Sequence, residues 1–236
     1  MEYQIIIHAG GAGTRLQSLA KDLPKALVEV AGKQLILYAM SPFLKQGFNK
    51  FVMSASYKAE MMYEFFKKQN IDVKFIQEKE LSGRAGAIRL GIEQGVLDPN
   101  KPIIITHCDD IIPIDVRQLV ASHEKSGCTA TVVLSRSFVN PFGVAEVAGN
   151  KITGFTEKAS FSVSANQGIN TGMSVFKNLK LFEKAVIPSQ PEYTIYPDLA
   201  KQGQINAFFV DKWYPVNTKE EHARFSDDLK SGKIKV

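Results

Sequence analysis

Hydrophobic positions in the first 135 residues alternate between short apolar runs and segments with helical spacing. The first run, residues 3–7, has the length and β-branching of a buried strand. Strands that alternate with helices at this spacing predict an α/β fold with a mainly parallel sheet and helices on both faces. The other predicted strands are 51–55, 73–76, 103–106 and 130–134, and the predicted helices are 35–45, 58–68, 86–94 and 116–125.

The hydrophobic pattern changes after about residue 135, where short apolar runs follow one another with few helices between them. We expect this second part to bind a substrate and to continue the same sheet, so that residues 1–236 form a single domain. The predicted strands here are 144–147, 151–156, 171–176 and 205–210, and the predicted helices are 193–201 and 219–229.

Charge and cysteine content narrow the function classes. The chain has 236 residues and a formal net charge of +5, and its basic residues are interspersed without a block of five or six. This distribution favours a phosphate-binding protein over a nucleic-acid-binding one, which typically has a clustered basic stripe. Cys108 and Cys128 form neither a metal-ligand spacing nor a disulfide framework.

The amino-terminal residues carry no basic segment before the first predicted strand, and the sequence has no run of eighteen apolar residues. We therefore expect no signal peptide, no membrane span and a cytoplasmic location. The oligomeric state stays open.

A glycine-rich segment follows the first strand and contains Gly10, Gly11 and Gly13. Glycines let the backbone approach a ligand closely and turn its N–H groups inward, which forms an anion cradle. Arg15 and Lys25 add two cations that suit a polyphosphate. The structural alternative is a glycine-rich turn with surface cations.

Two common phosphate-binding motifs do not match this segment. A dinucleotide-binding fingerprint counted from Gly11 needs glycine at Leu16, and a P-loop counted from Gly10 needs glycine at Arg15. A NAD-dependent dehydrogenase is therefore not favoured.

The pattern G-G-x-G-T-R-L, followed by Pro24-Lys25, resembles the signature of the sugar-phosphate nucleotidyltransferases. The resemblance extends from about residue 3 to about residue 225. It implies a Rossmann-like nucleotide-diphospho-sugar transferase fold, with the nucleotide bound by residues up to about 135 and the sugar phosphate by the remainder. In the glycine-rich segment it implies nucleotide binding by Ala9, Gly10, Gly11, Gly13, Thr14 and Arg15.

A pair of carboxylates, Asp109 and Asp110, follows the predicted strand 103–106. A carboxylate at the carboxyl end of a central strand can hold Mg²⁺ against phosphate oxygens. The family resemblance implies that Asp109 is this ligand and also contacts the nucleotide, whereas Asp110 is expected to cap or to face solvent. A zinc site made of His107, Cys108 and Asp109 is not favoured, because adjacent residues on a strand point to opposite faces.

The segment from Trp213 resembles the closing motif of the family, in which an aspartate binds metal. That aspartate falls on Pro215, but Asn217 matches a variant position and could be the second metal ligand. Asn217 could equally be the N-cap of the following helix, with Glu220 at the third helical position of a capping box.

Residues 77–87 resemble the family loop that lines the nucleobase pocket. Gln77 could pair with a pyrimidine, whereas Glu78 or Glu80 could accept from guanine, and Gly83 is implied to bind nucleotide. Each polar side chain could alternatively be a solvated loop position. Gly83, Ala85, Gly86 and Ala87 match the family pattern, whereas Ser82 and Arg84 depart from it.

The acceptor side of the site is implied by three further motifs in family order. Gly143 ends a turn that places a backbone N–H on the sugar, Glu157 contacts sugar hydroxyls, and Lys158 contacts the acceptor phosphate. Asn170 is implied to bind the sugar. Taken singly, each position could be a surface turn or an ion pair.

Together these motifs imply condensation of a nucleoside triphosphate with a sugar 1-phosphate, releasing pyrophosphate and requiring Mg²⁺. Arg15, Lys25 and Asp109 are the implied catalytic residues, and the paired glutamates weakly favour GTP. The alternatives are a cytidylyltransferase acting on a phosphorylated amino-alcohol and a catalytically silent nucleotide-binding regulator.

Overall fold

The computed structural model describes residues 2–11, 16, 19, 22–78, 80–139, 144–156 and 160–234. The strands are β1 Gln4–His8, β2 Glu29–Val30, β3 Lys33–Gln34, β4 Lys50–Ala55, β5 Asp72–Gln77, β6 Ile103–His107, β7 Asp110–Ile111, β8 Ala130–Ser135, β9 Ser137–Val139, β10 Val144–Ala148, β11 Lys151–Thr156, β12 Ser160–Ser162, β13 Ile169–Phe176, β14 Ile205–Val210 and β15 Tyr214–Pro215. The helices are α1 Leu35–Leu44, α2 Ala59–Gln69, α3 Gly83–Glu93, α4 Val116–Ser126, α5 Pro191–Thr194, α6 Tyr196–Lys201 and α7 Lys219–Lys230, with a 3₁₀ turn at Lys25–Leu27.

A seven-stranded sheet in the order β14-β8-β13-β6-β1-β4-β5 forms the centre of the molecule. β13 runs antiparallel to both of its neighbours, and the other paired strands run parallel. The predicted α/β fold with a mainly parallel sheet is therefore confirmed. The strands β13 and β14, from the second part of the chain, belong to this same sheet, whereas β10 and β11 pair with each other in a separate two-stranded sheet.

Alternating isoleucines of β1 bury its two faces in separate hydrophobic clusters. Ile5 and Ile7 pack with residues of α1, α2 and α4, whereas Ile6 packs with residues of α3 and α6 on the opposite face. Burying each side chain contributes about 1.5–3 kcal/mol. β1 is thereby held centrally, and the segment that follows it emerges at the carboxyl edge of the sheet.

The helix α3 begins three residues earlier than the sequence pattern predicts, at Gly83. Gly83 has a φ of +70°, and a Cβ atom there would overlap the backbone of Ser189. The N–H of Ala85 donates to the Ser189 carbonyl at 3.1 Å, and the Ser189 N–H donates to the Ser82 carbonyl at 3.0 Å. Tertiary contact with a distant loop thus sets the start of this helix.

The predicted helix 193–201 is wrong as a single element. The structure contains two short helices, α5 and α6, which meet at Ile195. Pro197 lies two residues later and has no N–H to continue the hydrogen-bonding pattern of the preceding turn.

No helix within the described ranges is long and apolar enough to cross a lipid bilayer.

Candidate active site

A cavity of about 630 Å³ opens at the carboxyl ends of β1, β4 and β6. Its described lining includes the backbone of Ala9, Gly10 and Gly11 and the side chains of Lys25 and Asp109. Ligands of parallel α/β sheets bind at this edge, as the sequence predicts.

Lys25, Asp109 and Asn217 form the polar centre of this cavity. The Lys25 ammonium donates to Asp109 Oδ2 and, at 2.8 Å, to Asn217 Oδ1. The Lys25 and Asp109 side chains are 10% and 20% exposed, so this ion pair is partly shielded from water. The structure brings together three predicted site residues that are far apart in the sequence.

The segment containing Asn217 reaches Asp109 through backbone pairing. β15 pairs antiparallel with β7, and the Val216 N–H donates to the Asp109 carbonyl at 2.8 Å. This pairing carries the closing segment across the strand end that bears Asp109. Asn217, the next residue, therefore lies beside Lys25.

The predicted capping role of Asn217 with Glu220 is wrong. Thr218 is the N-cap of α7, and its side chain accepts from the Glu221 N–H at 3.2 Å. The Glu221 carboxylate accepts from the backbone N–H groups of Thr218 and Asn217 at 3.0 and 2.7 Å. The capping box lies one residue later than expected, which leaves the Asn217 side chain available to Lys25.

Asp110 neither caps a helix nor faces solvent, so that prediction is also wrong. Its Oδ1 accepts from the Trp213 indole N–H at 2.8 Å, and its Oδ2 is 2.9 Å from Nδ1 of His107. Arg84 lies 3.3 Å from the other ring nitrogen, Nε2. A guanidinium can only donate, so Nε2 of His107 accepts a hydrogen bond from Arg84. The ring proton is then on Nδ1, which donates a hydrogen bond to Asp110.

Arg84 connects this chain of hydrogen bonds to α5. Its guanidinium donates to Gln190 Oε1 at 2.6 Å and pairs with Glu192 Oε2 at 2.7 Å. The charge that Arg84 adds to the predicted nucleobase loop is therefore balanced by Glu192. Sequence reasoning missed Gln190 and Glu192, because no local motif links them to residue 84.

Gly172 allows β13 to pass beneath His107 and Asp110. It has a φ of +86°, and a Cβ atom there would overlap the His107 ring and lie 2.9 Å from Asp110 Oδ2. The register of β13 with β8 shifts between Asn170 and Ser174. Only glycine combines the positive φ with the absence of a Cβ atom at this close contact, so only glycine fits here without strain.

The predicted nucleobase residues divide into two groups. Glu78 and Gly83 line the cavity, as does Leu81, whose side chain is 65% exposed. The Glu78 carboxylate accepts from the backbone N–H of Ser82 at 3.2 Å and from its hydroxyl. Gln77 lies outside the described cavity lining, is exposed and bonds the Gln94 side chain through its backbone.

Asn170 lies outside the described cavity lining. Its Oδ1 accepts from the Gly172 N–H at 2.9 Å, and its Nδ2 is 3.4 Å from Glu192 Oε1. It is thereby joined to the helix α5 that holds Arg84.

The predicted site residues Gly13, Thr14, Arg15, Gly143, Glu157 and Lys158 lie outside the described residues.

His107, Asp109 and Asp110 each place a potential metal-ligand atom within 4.8 Å of the others. They converge because β6 ends at His107, so strand alternation no longer applies to the residues that follow. Both carboxylate oxygens of Asp110 already have hydrogen-bond partners. Asp109 and Asn217 place further oxygen atoms beside Lys25, whose ammonium donates to both.

Cys108 is adjacent to this group but is buried. Burial, reinforced by the charge of Asp109, raises the pKa of its thiol well above the usual value. The thiol is therefore protonated at neutral pH, which does not favour a nucleophilic role.

The fold and the cavity together define a nucleotide-diphospho-sugar transferase-type α/β protein. HddC from Yersinia pseudotuberculosis, in a structure with GMP-PN, has a TM-score of 0.70 and 22% identity over 97% of this chain and 100% of that chain. A putative glucose-1-phosphate thymidylyltransferase from Bacillus anthracis has a TM-score of 0.72 and 20% identity, covering 100% of this chain and 97% of that one. These similarities show the fold.

A family model, nucleotidyl transferase, matches residues 4–214, and the chain belongs to this family. The mannose-1-phosphate guanylyltransferase catalytic subunit beta of Xenopus tropicalis is 29% identical over 209 residues, or 86% of this chain and 57% of that protein. The subunit of the same name from Dictyostelium discoideum is 26% identical over 238 residues, or 96% of this chain and 65% of that protein. The chain thus spans less than two thirds of these relatives.

Proposed function

We propose that the protein condenses a nucleoside triphosphate, with GTP favoured, and a sugar 1-phosphate into a nucleotide sugar and pyrophosphate. The observation that carries this proposal is the contact of Lys25 with both Asp109 and Asn217 inside the cavity. The family and the mannose-1-phosphate guanylyltransferase relatives favour the same reaction and, within it, GTP and mannose 1-phosphate.

The reaction joins two anions, and this determines what the protein must supply. An oxygen of the acceptor phosphate forms a bond to the α-phosphorus, and the bond from that phosphorus to the oxygen bridging to the β-phosphate breaks. The bonding electron pair leaves with pyrophosphate. The attacking phosphate is already ionised, so the main requirements are positioning and neutralisation of negative charge.

The phosphate-binding side is built from the backbone after β1 and from two cations. In this proposal Ala9, Gly10 and Gly11 border the triphosphate, with Gly13 and Thr14 continuing the cradle. Lys25 lies at the cavity surface and stabilises the α-phosphate as negative charge develops there. The second cation is Arg15, which we assign to the leaving β- and γ-phosphates.

The oxygen donors beside Lys25 fit Mg²⁺. Asp109 offers a carboxylate and Asn217 an amide oxygen, and hard oxygen ligands are those that Mg²⁺ prefers. His107 fits less well, because Arg84 and Asp110 already contact its two ring nitrogens. Bound Mg²⁺ would act as a Lewis acid that neutralises phosphate charge.

The remaining assignments follow the two halves of the cavity. We propose that Glu78 and Gly83 border the nucleobase, and that Gln77 reaches it only by turning from its exposed position. On the acceptor side we propose that Gly143, Glu157, Lys158 and Asn170 bind the sugar phosphate.

We also propose a single domain spanning residues 1–236, whose two parts both contribute strands to the central sheet. We further propose a cytoplasmic location, which is consistent with the two free cysteines.

The two alternative functions have less support. A phosphorylated amino-alcohol would call for an aromatic cage, and the sequence offers only one tryptophan, Trp213. Trp213 is absent from the described cavity lining. A silent regulator would not need the Lys25, Asp109 and Asn217 cluster.

The test is a screen of the four nucleoside triphosphates against a panel of sugar 1-phosphates and phosphorylated amino-alcohols. Pyrophosphate release is the readout. We expect Mg²⁺-dependent release with GTP and a hexose 1-phosphate. Nucleotide binding without release for every acceptor would establish the silent regulator, and release only with CTP and an amino-alcohol phosphate would establish the cytidylyltransferase.

A further inference from the structure

His8, the last residue of β1, has a buried ring nitrogen with no hydrogen-bond partner among the described residues. The residue is 8% exposed, lines the cavity, and leaves its Nε2 atom unpartnered. Buried polar atoms are normally hydrogen-bonded, and an unpaired one costs about 1–3 kcal/mol. A ligand in the cavity can supply the missing partner.

The other ring nitrogen of His8 identifies the form of the imidazole. Nδ1 lies 2.9 Å from the hydroxyl oxygen of Ser54, the paired residue on β4. The Ser54 hydroxyl is buried, and the described hydrogen-bond partner of its oxygen is His8 Nδ1. We assign the hydroxyl as the donor to Nδ1, since no other acceptor for it lies among the described residues, and this assignment places the ring proton on Nε2.

The surroundings of His8 keep the imidazole neutral. Burial lowers its pKa well below the usual value, and the nearby His107 and Arg84 lower that pKa further. The ring centroids of His8 and His107 are 5.8 Å apart. A neutral N–H donor suits a hydroxyl or carbonyl oxygen, whereas phosphate oxygens have the glycine backbone and Lys25 nearby.

In the proposed binding mode, His8 lies on the nucleoside side of the cavity. Gly10 and Gly11 lie two and three residues after it, and its side chain bonds to Ser54 of β4. β4 is the neighbour of β5, which leads to Glu78 at the cavity edge. A nucleotide with phosphates at Gly10 and a base near Glu78 has its nucleoside oxygens in this region.

We propose that Nε2–H of His8 donates a hydrogen bond to an uncharged oxygen of the bound nucleoside, either a ribose hydroxyl or a carbonyl of the base. His8 is then a specificity-determining residue of the nucleotide site. This inference rests on the proposed function, since it requires a nucleoside triphosphate in the cavity.

The test compares GTP binding by the wild type, His8→Leu and His123→Leu in calorimetry. His123 is a matched control, because it is also buried and its Nδ1 lies 2.9 Å from a hydroxyl, that of Thr131, but it lies on α4 outside the cavity lining. We expect His8→Leu to weaken GTP binding about 3- to 10-fold, the effect of one neutral hydrogen bond, and His123→Leu to leave it unchanged.

Analogues that lack single oxygens then identify the partner. The set is 2′-deoxy-GTP, 3′-deoxy-GTP and 2-aminopurine riboside triphosphate, which lacks the base carbonyl. For the analogue that lacks the bonded oxygen, His8→Leu should cause no further loss of affinity. If the wild type and His8→Leu bind a deoxy analogue equally well, the bonded oxygen is the missing ribose hydroxyl. If they bind the 2-aminopurine analogue equally well, the bonded oxygen is the base carbonyl.

Three results would overturn the inference while leaving the proposed function intact. These are GTP affinity unaffected by His8→Leu, an equal penalty with all three analogues, and an effect confined to the KM of the sugar 1-phosphate. A wild-type protein that binds no GTP and turns over no nucleoside triphosphate would instead contradict the proposed function, and the inference with it.

Discussion

Lys25 lies where two distant segments of the chain meet, between Asp109 and Asn217. A lysine ammonium is a compact charge with several donors, so it can exchange a protein oxygen for a phosphate oxygen as a substrate enters. Its partial burial lowers the local dielectric and strengthens that interaction. At the residue scale, this cation is central to the proposed chemistry.

Replacing Lys25 should impair catalysis much more than folding. We expect Lys25→Ala to lower kcat/KM about 10²- to 10³-fold, the range for loss of one charge-stabilising donor. Circular dichroism should show an unchanged fold. Lys50→Ala is the control, because Lys50 is highly exposed and pairs with Glu2 away from the cavity. Equal rates for Lys25→Ala and Lys50→Ala would contradict the assignment.

Replacing Asn217 and replacing its neighbour Thr218 should have different effects, because we assign Asn217 to the site and Thr218 to the cap of α7. We expect Thr218→Ala to lower the free energy of unfolding by about 1 kcal/mol, because it removes the capping box of α7. Asn217→Ala should instead reduce turnover and raise the Mg²⁺ concentration needed for activity. Urea denaturation and a Mg²⁺ titration test both variants. Lower stability with unchanged Mg²⁺ dependence in Asn217→Ala would instead indicate that Asn217 is a capping residue.

Sequence patterns identify Lys25, Asp109 and Asn217 because each lies in a recognisable motif next to a predicted strand or helix end. They do not identify the contacts of Arg84 or the pairing of Asp110 with Trp213. Those contacts depend on how separate loops pack against each other, and the sequence spacing carries no information on that packing. The N-cap of α7 is displaced by one residue for a related reason, since both Asn and Thr are good caps.

At the scale of elements, close approach of the backbone determines where β13 and α3 lie. The pattern of apolar residues predicts β13 from residue 171, but the strand begins at Ile169 and changes register near Gly172. Gly83 similarly marks a start of α3 that depends on Ser189. Apolar periodicity locates the body of an element, whereas tertiary contacts locate its ends.

Gly172→Ala should disturb the cavity as well as the stability of β13. The added methyl group would overlap His107, in addition to the strain of a positive φ, so we expect a loss of about 2–4 kcal/mol of unfolding free energy and lower activity. Gly203→Ala provides the control, since Gly203 has a φ of +64° but open space around its Cβ position. It should lose only about 1 kcal/mol. Equal losses in chemical denaturation would remove the proposed steric role of Gly172.

At the scale of the whole molecule, the parallel sheet was predictable because each strand is a distinct apolar run bounded by helical spacing. The order of the strands was not, because pairing such as that of β13 between β6 and β8 is set by contacts distant in sequence. The location of the cavity follows from the sheet direction alone, since the carboxyl ends of β1, β4 and β6 lie on one edge.

Two buried histidines should make the stability of the whole protein depend on pH. Burial lowers the pKa of His8 and of His123 below the usual 6.5. The unfolded chain therefore binds protons that the folded chain does not, and the free energy of unfolding falls as the pH drops below about 6.5. Each histidine adds a slope of up to about 1.4 kcal/mol per pH unit.

Urea denaturation between about pH 7.5 and pH 5.5 measures this slope, above the range in which most carboxylates titrate. His8→Leu and His123→Leu should each flatten it, and the double variant should flatten it most. A slope that is the same in the wild type and the double variant would contradict the pKa directions.

The central claim is that the α-phosphate of the nucleotide is transferred to the acceptor phosphate. The most direct measurement incubates the protein with Mg²⁺, mannose 1-phosphate and GTP radiolabelled at either the α- or the γ-phosphate, and then separates the products. We predict that the α-label enters the nucleotide sugar and that the γ-label leaves as pyrophosphate. Appearance of the γ-label in the sugar product or as inorganic phosphate, or no transfer of the α-label, would contradict the account.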